Sequence, residues 1–187
     1  MKVEQPTNRA SRRLEEVRSV FMTEYRTYQY RFVEFFIEHL TDISRVFRGD
    51  LQAMIVLAIV GQVQLRATRN AIQAGLDPAD LSPERLSVNA SSIAEVTGIP
   101  RETVRRKLER LVERGWLVRN PDSSFCLAVV QGEATARNDL LELDARALER
   151  VARLFRDLEV LVSANTGSDV NITAQNGQHE PADKKQL

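Results

Sequence analysis

Five basic side chains fall between positions 101 and 110: Arg101, Arg105, Arg106, Lys107 and Arg110. Glu102, Glu109 and Glu113 are interleaved with them. A guanidinium carries its N–H donors in a planar fork, which fits the N7/O6 edge of guanine or the oxygens of a phosphate. A carboxylate such as Glu102 can accept from the amino group of cytosine. Ser91 and Thr103 add neutral donors nearby, and Arg119 adds a further cation. This set suits the recognition of a polyanion with patterned edges. The competing reading is a solvated helix face on which acids and bases cancel.

Such side chains need elements to aim them. Asn89 is fit to cap a helix, because its side-chain oxygen accepts an orphan backbone N–H. Ile93, Ala94 and Val96 give that helix a small apolar face. Thr97-Gly98-Ile99-Pro100 breaks it: Gly98 tolerates positive φ, and Pro100 suits the first position of a second helix. The second helix is predicted from about Pro100 to Arg114. Val104, Leu108 and Leu111 face inward at helical spacing, which turns Glu102 and Arg106 outward. Glu102 and Arg106, four apart, are placed to orient each other. Gly115 reads as the helix stop. Trp116-Leu117-Val118 and Phe125-Cys126-Leu127 read as two strands joined by a polar turn at Asn120-Pro121-Asp122-Ser123. Leu86-Ser87-Val88 reads as a short strand pairing with that hairpin, preceded by a helical turn at Ser82–Arg85.

Helix, turn, basic helix and hairpin together resemble a winged helix-turn-helix. Within it, Ile93-Ala94-Glu95-Val96-Thr97-Gly98 followed by Arg101-Glu102-Thr103-Val104-Arg105-Arg106 resembles the helix-turn-helix of the Crp–Fnr superfamily. That resemblance implies contacts to bases or phosphates from Arg101, Glu102 and Arg106. It covers under a quarter of the chain, and no run of short strands precedes it to form that superfamily's effector barrel. Glu109 stands where the superfamily often has a basic residue. A winged helix set between long helices looks instead like a MarR-type arrangement.

Composition bounds the rest. The chain has 187 residues, 43% of them hydrophobic, as expected of about one globular domain. Acidic and basic residues cancel to a formal net charge of +0, which argues against a non-specific coating of nucleic acid. The one cysteine, Cys126, excludes an intramolecular disulfide and reads as a structural strand residue. His39 and His179 are too far apart in sequence to suggest a metal site. No phosphate loop, zinc motif or nucleophile elbow occurs, so neither a catalytic residue nor a cofactor is assigned. The charged N-terminus does not read as a signal peptide. The longest apolar run, Ala53 to Val60, is short for a membrane helix. These points lead us to expect a cytoplasmic protein.

Long helical patterns flank the motif. Apolar and aromatic residues recur at steps of three and four from about Arg9 to Phe47, close to a heptad. From about Ala134 to Ala164, Leu141, Leu148 and Phe155 form one stripe, with Leu140, Ala147, Leu154 and Leu161 beside it. Both stripes exceed what a small winged helix can cover. The expected organisation is a flexible N-terminus at 1–8, a dimerisation helix at 9–49 and a winged helix-turn-helix at 50–131. A second dimerisation helix follows at 132–164, then a disordered tail at 165–187. The helix from Leu51 to Ala74, apolar on most sides, should be buried on several faces as the central core helix.

The sequence therefore predicts a mainly α fold with a small β-hairpin wing. The expected function is that of a homodimeric, sequence-specific regulator of transcription bound to double-stranded DNA. Its contact residues would be Ser91, Arg101, Glu102, Thr103, Arg105, Arg106, Arg110 and Arg119. The alternative is a winged helix used as a protein-interaction or scaffold module. Nothing in the sequence identifies a small-molecule effector.

Overall fold

The computed structural model describes residues 6–175, with side chains over 9–166. Of the flexible N-terminus expected at 1–8 and the disordered tail expected at 165–187, residues 6–8 and 165–175 are instead helical, as continuations of the flanking helices, and the others lie outside the described residues. Seven α-helices occur among these residues: α1 (Pro6–Thr23), α2 (Tyr25–Val46), α3 (Leu51–Gln73), α4 (Pro83–Leu86), α5 (Ala90–Thr97), α6 (Arg101–Glu113) and α7 (Thr135–Gln175). A single 3-10 turn lies at Pro78–Asp80. Four short strands follow α6: β1 (Leu117–Arg119), β2 (Phe125–Leu127), β3 (Val129–Val130) and β4 (Glu133–Ala134). The fold is mainly helical with a small wing, as the sequence predicts.

The chain divides into two compact units: Leu40–Ala147, and the residues up to His39 together with those from Leu148 on. In the first, α3 starts at Asp50, whose carboxylate accepts from Ala53 N–H at 3.0 Å. Val56 and Val60 turn inward from α3 and meet Ile93 of α5 and Val104 and Leu108 of α6. All five are fully buried. Burial of an aliphatic side chain contributes about 1.5–3 kcal/mol, so this layer is the main apolar support of the unit.

Trp116 closes that core. It is 0% exposed and sits between α6 and β1. Its ring meets Phe47 edge-on at a centroid distance of 5.7 Å, and the Arg114 guanidinium lies 3.5 Å from its centroid. The indole N–H donates to Asp139 Oδ2 at 2.6 Å, so the polar end of the ring is satisfied at the start of α7. Asp42 is also buried, and accepts from Arg146 Nε at 3.0 Å and Arg45 Nη1 at 3.3 Å. An unpaired carboxylate there would be costly.

The wing is an antiparallel pair in which Leu117 faces Leu127 and Val118 faces Cys126. Val88 joins it by two backbone bonds to Phe125, each 2.9 Å. Of the strand expected over Leu86–Val88 only this one bridge forms, because Leu86 ends α4. The expected single helical turn nearby is α4. A second hairpin, β3–β4, was not expected. Gln131 and Gly132, read from sequence only as a break, both have positive φ and form its two-residue turn.

In the other unit, α1 and the first part of α2 replace the one long helix expected. The interruption is confined to Glu24, and backbone bonds Glu24 N–H to Val20 O and Tyr28 N–H to Glu24 O bridge it. Phe21 stacks on Tyr28 at 4.8 Å, and Tyr28, Phe32 and Phe36 continue the ladder at 6.0 Å intervals. Arg150 Nε donates to Glu38 at 3.1 Å. A groove of about 410 Å³ is lined by Val17, Phe21, Phe155, Leu158 and Val162. Leu148 (72% exposed) and Phe155 (66%) leave much of the α7 stripe in solvent. The α7 backbone continues to Gln175, past the end expected near Ala164.

Two expectations about burial need correction. Val96 is expected on the apolar face of the first motif helix but is 77% exposed: it lies about 60° round α5 from Ile93, and the layer that fully buries Ile93 does not extend over it. The central helix α3 buries one side only: Leu51, Ile55, Leu65 and Ile72 are exposed. Its composition hides this, since apolar residues occupy both its faces. By length and by the mean hydropathy of an 18-residue stretch, α3 is also long and apolar enough to cross a membrane, although its continuous apolar run is short.

Trp116→Phe keeps the ring contact with Phe47 but removes the bond to Asp139. It should lower stability by about 1.5–3 kcal/mol, the range for a hydrogen bond to a charged group. Denaturant unfolding should show a shifted midpoint with an unchanged slope.

Candidate nucleic-acid interface

The motif is built by local chemistry. Asn89 Oδ1 accepts from Ser92 N–H at 2.9 Å and opens α5. Gly98 ends it at φ 70°, where any side chain would be strained, and its N–H returns to Ala94 O. Thr97 then fixes the turn. Its hydroxyl donates to Ile93 O at 2.7 Å and accepts from Ile99 N–H at 3.2 Å. Ile99 is buried beneath the turn. Pro100 is the cap before α6 rather than its first residue, since its ψ of 135° is extended. Gly115, at φ 76°, terminates α6, and the Trp116 N–H bonds back to Leu111 O.

Within α6, Val104, Leu108 and Leu111 are buried as expected. Arg101, Glu102, Arg105, Arg106 and Arg110 are exposed, and Thr103 is half-buried. Ser91 is exposed in the first turn of α5. The basic side chains are not equivalent. Arg105 is engaged by two carboxylates: its Nε donates to Glu102 Oε2 at 3.0 Å, its Nη2 to Glu102 Oε1 at 2.6 Å, and its Nη1 to Glu109 Oε1. The bond to Arg105 holds the Glu102 carboxyl below its usual range. The same bond raises the guanidinium of Arg105 above its own. The expected mutual orientation of Glu102 and Arg106 is therefore replaced by a Glu102–Arg105 fork. Three-residue spacing brings the guanidinium alongside the carboxylate in the first turn of the helix.

Lys107 is removed from the surface set altogether. Its Nζ lies 2.6 Å from Asp50 Oδ2, and its side chain is only 12% exposed. Burial pushes the Asp50 carboxyl up, but the Lys107 bond and the Ala53 N–H outweigh this and leave its pKa below the ordinary value. One carboxylate thus caps α3 and ties α6 to it. No local sequence signal could reveal a pair 57 positions apart.

Arg119 lies on β1 at the base of the wing, and its Nη2 donates to Ser123 Oγ at 3.1 Å. The tip is folded on itself: Asp122 accepts from both the N–H and the hydroxyl of Ser124, at 2.9 and 2.6 Å. Those bonds keep the Asp122 carboxyl below its usual range. Cys126 is half-buried, with Sγ 3.9 Å from Asn120 Oδ1, and burial pushes its thiol up, which suits a structural residue.

A recognition-type helix held behind a tight turn and followed by a wing defines the winged helix-turn-helix class. Comparison with known families matches residues 81–121 to the IclR helix-turn-helix domain. The chain is thus a DNA-binding regulator of transcription, as fold and match agree. The matched family differs from both the Crp–Fnr superfamily and the MarR arrangement that the sequence resembles. The short turn-and-helix pattern is common to many such domains, so it carries the class better than the family. No curated protein and no solved structure matches the chain.

Lys107→Met should destabilise the protein by about 1–3 kcal/mol at pH 7, because it leaves a partly buried carboxylate without its charged partner. The sign follows from the lowered Asp50 pKa. The pair stabilises fully above the unfolded carboxylate value of about 4 and loses that contribution as pH falls through the lower folded value. The gap between wild type and variant should therefore be constant from pH 7 to about pH 5 and narrow below about pH 4, as measured by urea unfolding.

Proposed function

We propose that this chain is a sequence-specific transcriptional regulator that acts as a homodimer and reads DNA with α6 in the major groove. The observation that carries the reading is the outward side of α6. Arg101, Arg106 and Arg110 stand there without an ion-pair partner among the described residues, on a helix whose other side is locked into the core. Arg101, Glu102 and Arg106 take the base edges. Thr103, Arg110 and Ser91 bond phosphates, Ser91 from a helix start where backbone N–H groups favour anions. Arg119 contacts the backbone beside the wing. The tip, with Asp122 and no basic residue, adds little binding energy. The reading places the protein in the cytoplasm with its DNA, and it requires no cofactor, metal or catalytic residue.

Dimerisation rests on the apolar surface of the second unit. Leu148, Val151 and Phe155 on α7 are exposed at steps of three and four, and the groove between Phe21 and Phe155 continues that surface. Contiguous apolar surface of this kind is rare on a soluble monomer. A two-fold dimer covers it economically, because one patch serves both copies.

Arg106→Ala should weaken binding to the preferred site by about 1–3 kcal/mol and relax the preference at one base pair. Arg119→Ala should weaken binding evenly across sequences and lower the salt slope by about one unit. Identical behaviour of the two in a fluorescence-anisotropy titration would refute these roles. Separately, the wild type should sediment as a dimer at micromolar concentration. Leu148→Glu with Phe155→Glu should give a monomer, or an unfolded chain if one copy cannot stand alone. A wild-type monomer in sedimentation equilibrium would rule out the dimer.

A further inference from the structure

The five basic residues of α6 sort into three kinds by their partners. Lys107 is bound to Asp50 beneath the helix. The side chains of Arg101, Arg106 and Arg110 have no hydrogen-bond or ion-pair partner among the described residues. Arg105 is exposed like those three, yet each of its three nitrogens is already bonded to a carboxylate oxygen of Glu102 or Glu109. Its single positive charge faces two negative ones, so the group as a whole offers a phosphate nothing attractive.

The fork has a consequence for Glu102. Two parallel bonds, Nε to Oε2 and Nη2 to Oε1, fix the plane of the carboxylate as one bond could not. A carboxylate has about four lone-pair sites, and the fork occupies only two of them. The two that remain can accept from an amino group such as cytosine N4. A carboxylate left to rotate at the start of α6 would be a liability near DNA, since phosphates repel it. Held in one plane by a neighbour that neutralises it, the same group becomes a directional acceptor. Glu109 holds the third nitrogen and keeps the guanidinium from swinging away toward the backbone of the duplex.

We propose that Arg105 is a positioning residue that determines specificity through Glu102, holding that carboxylate as the acceptor for one cytosine of the target site, and that it does not bind phosphate. The proposal rests on the major-groove reading given above. It also divides the α6 cations into free readers and one support, a division that residue type alone does not make.

The test uses the full-length chain and DNA selected from a random duplex library by the wild type. Base preferences and salt slopes are then measured for the wild type, Glu102→Ala, Arg105→Ala, Arg105→Lys and the Glu102→Ala/Arg105→Ala double variant. Glu102→Ala should reduce discrimination at one C·G pair at least about fivefold. Arg105→Ala should do the same at that same pair, with a salt slope within about half a unit of the wild type. Arg105→Lys restores the charge without the fork and should not restore the preference. The double variant should lose no more than either single one, as expected of residues acting as a unit. A slope lowered by about one unit in Arg105→Ala would identify a phosphate contact and overturn the proposal. So would an unchanged cytosine preference in Arg105→Ala, or its rescue by lysine. A wild type that selects no sequence at all would overturn the major-groove reading together with this inference.

Discussion

The winged-helix unit depends on what Trp116 can satisfy at once. A large ring that is fully buried must fill its volume and also pair its N–H. Phe47 supplies the apolar wall, Arg114 covers one face, and Asp139 takes the proton donor. Those three partners come from the end of α2, the end of α6 and the start of α7. One side chain therefore ties the end of the recognition-type helix to the end of α2 and the start of α7. The Thr135 hydroxyl reinforces the junction by donating to Gly115 O at 2.6 Å, next to the ring.

With that end fixed, the outward side of α6 is set by packing at the other. Thr97 bonds across the turn, Ile99 plugs it, and Lys107 pins the helix to the cap of α3. These are constraints on a rigid platform, and rigidity is what a reader of base edges needs, since its side chains must reach without the helix shifting. The zero net charge of the whole chain is compatible with this, because Arg101, Arg106 and Arg110 stand together on one short helix while acids such as Asp50, Glu102 and Asp139 hold other side chains in place.

Much of this was legible beforehand. The Asn89 cap, the left-handed turn at Gly98, the inward row Val104, Leu108 and Leu111, and the pairing of Val88 with the wing all follow from local rules of capping, periodicity and turn chemistry. What was not legible depends on distance or on competition. Asp50 and Lys107 are far apart in sequence, so their pairing belongs to the tertiary fold. Glu102 had two arginines within helical reach, and spacing alone did not say that Arg105, rather than Arg106, would take it. Val96 and Leu65 are apolar residues that the packing leaves in solvent, because a helix exposes whatever the opposing layer does not meet. The Gln131-Gly132 hairpin was read only as a break because each of its strands has two residues, too few for an alternating pattern.

The account stands or falls on whether α6 enters the major groove of a defined sequence. Dimethyl sulfate protection on a fragment selected from genomic DNA reports guanine N7 in that groove directly. The account predicts two clusters of protected guanines on one face of the duplex, about 34 Å apart and related as an inverted repeat. Protection confined to the minor groove, a single cluster, or guanines left reactive throughout a saturated complex would contradict it.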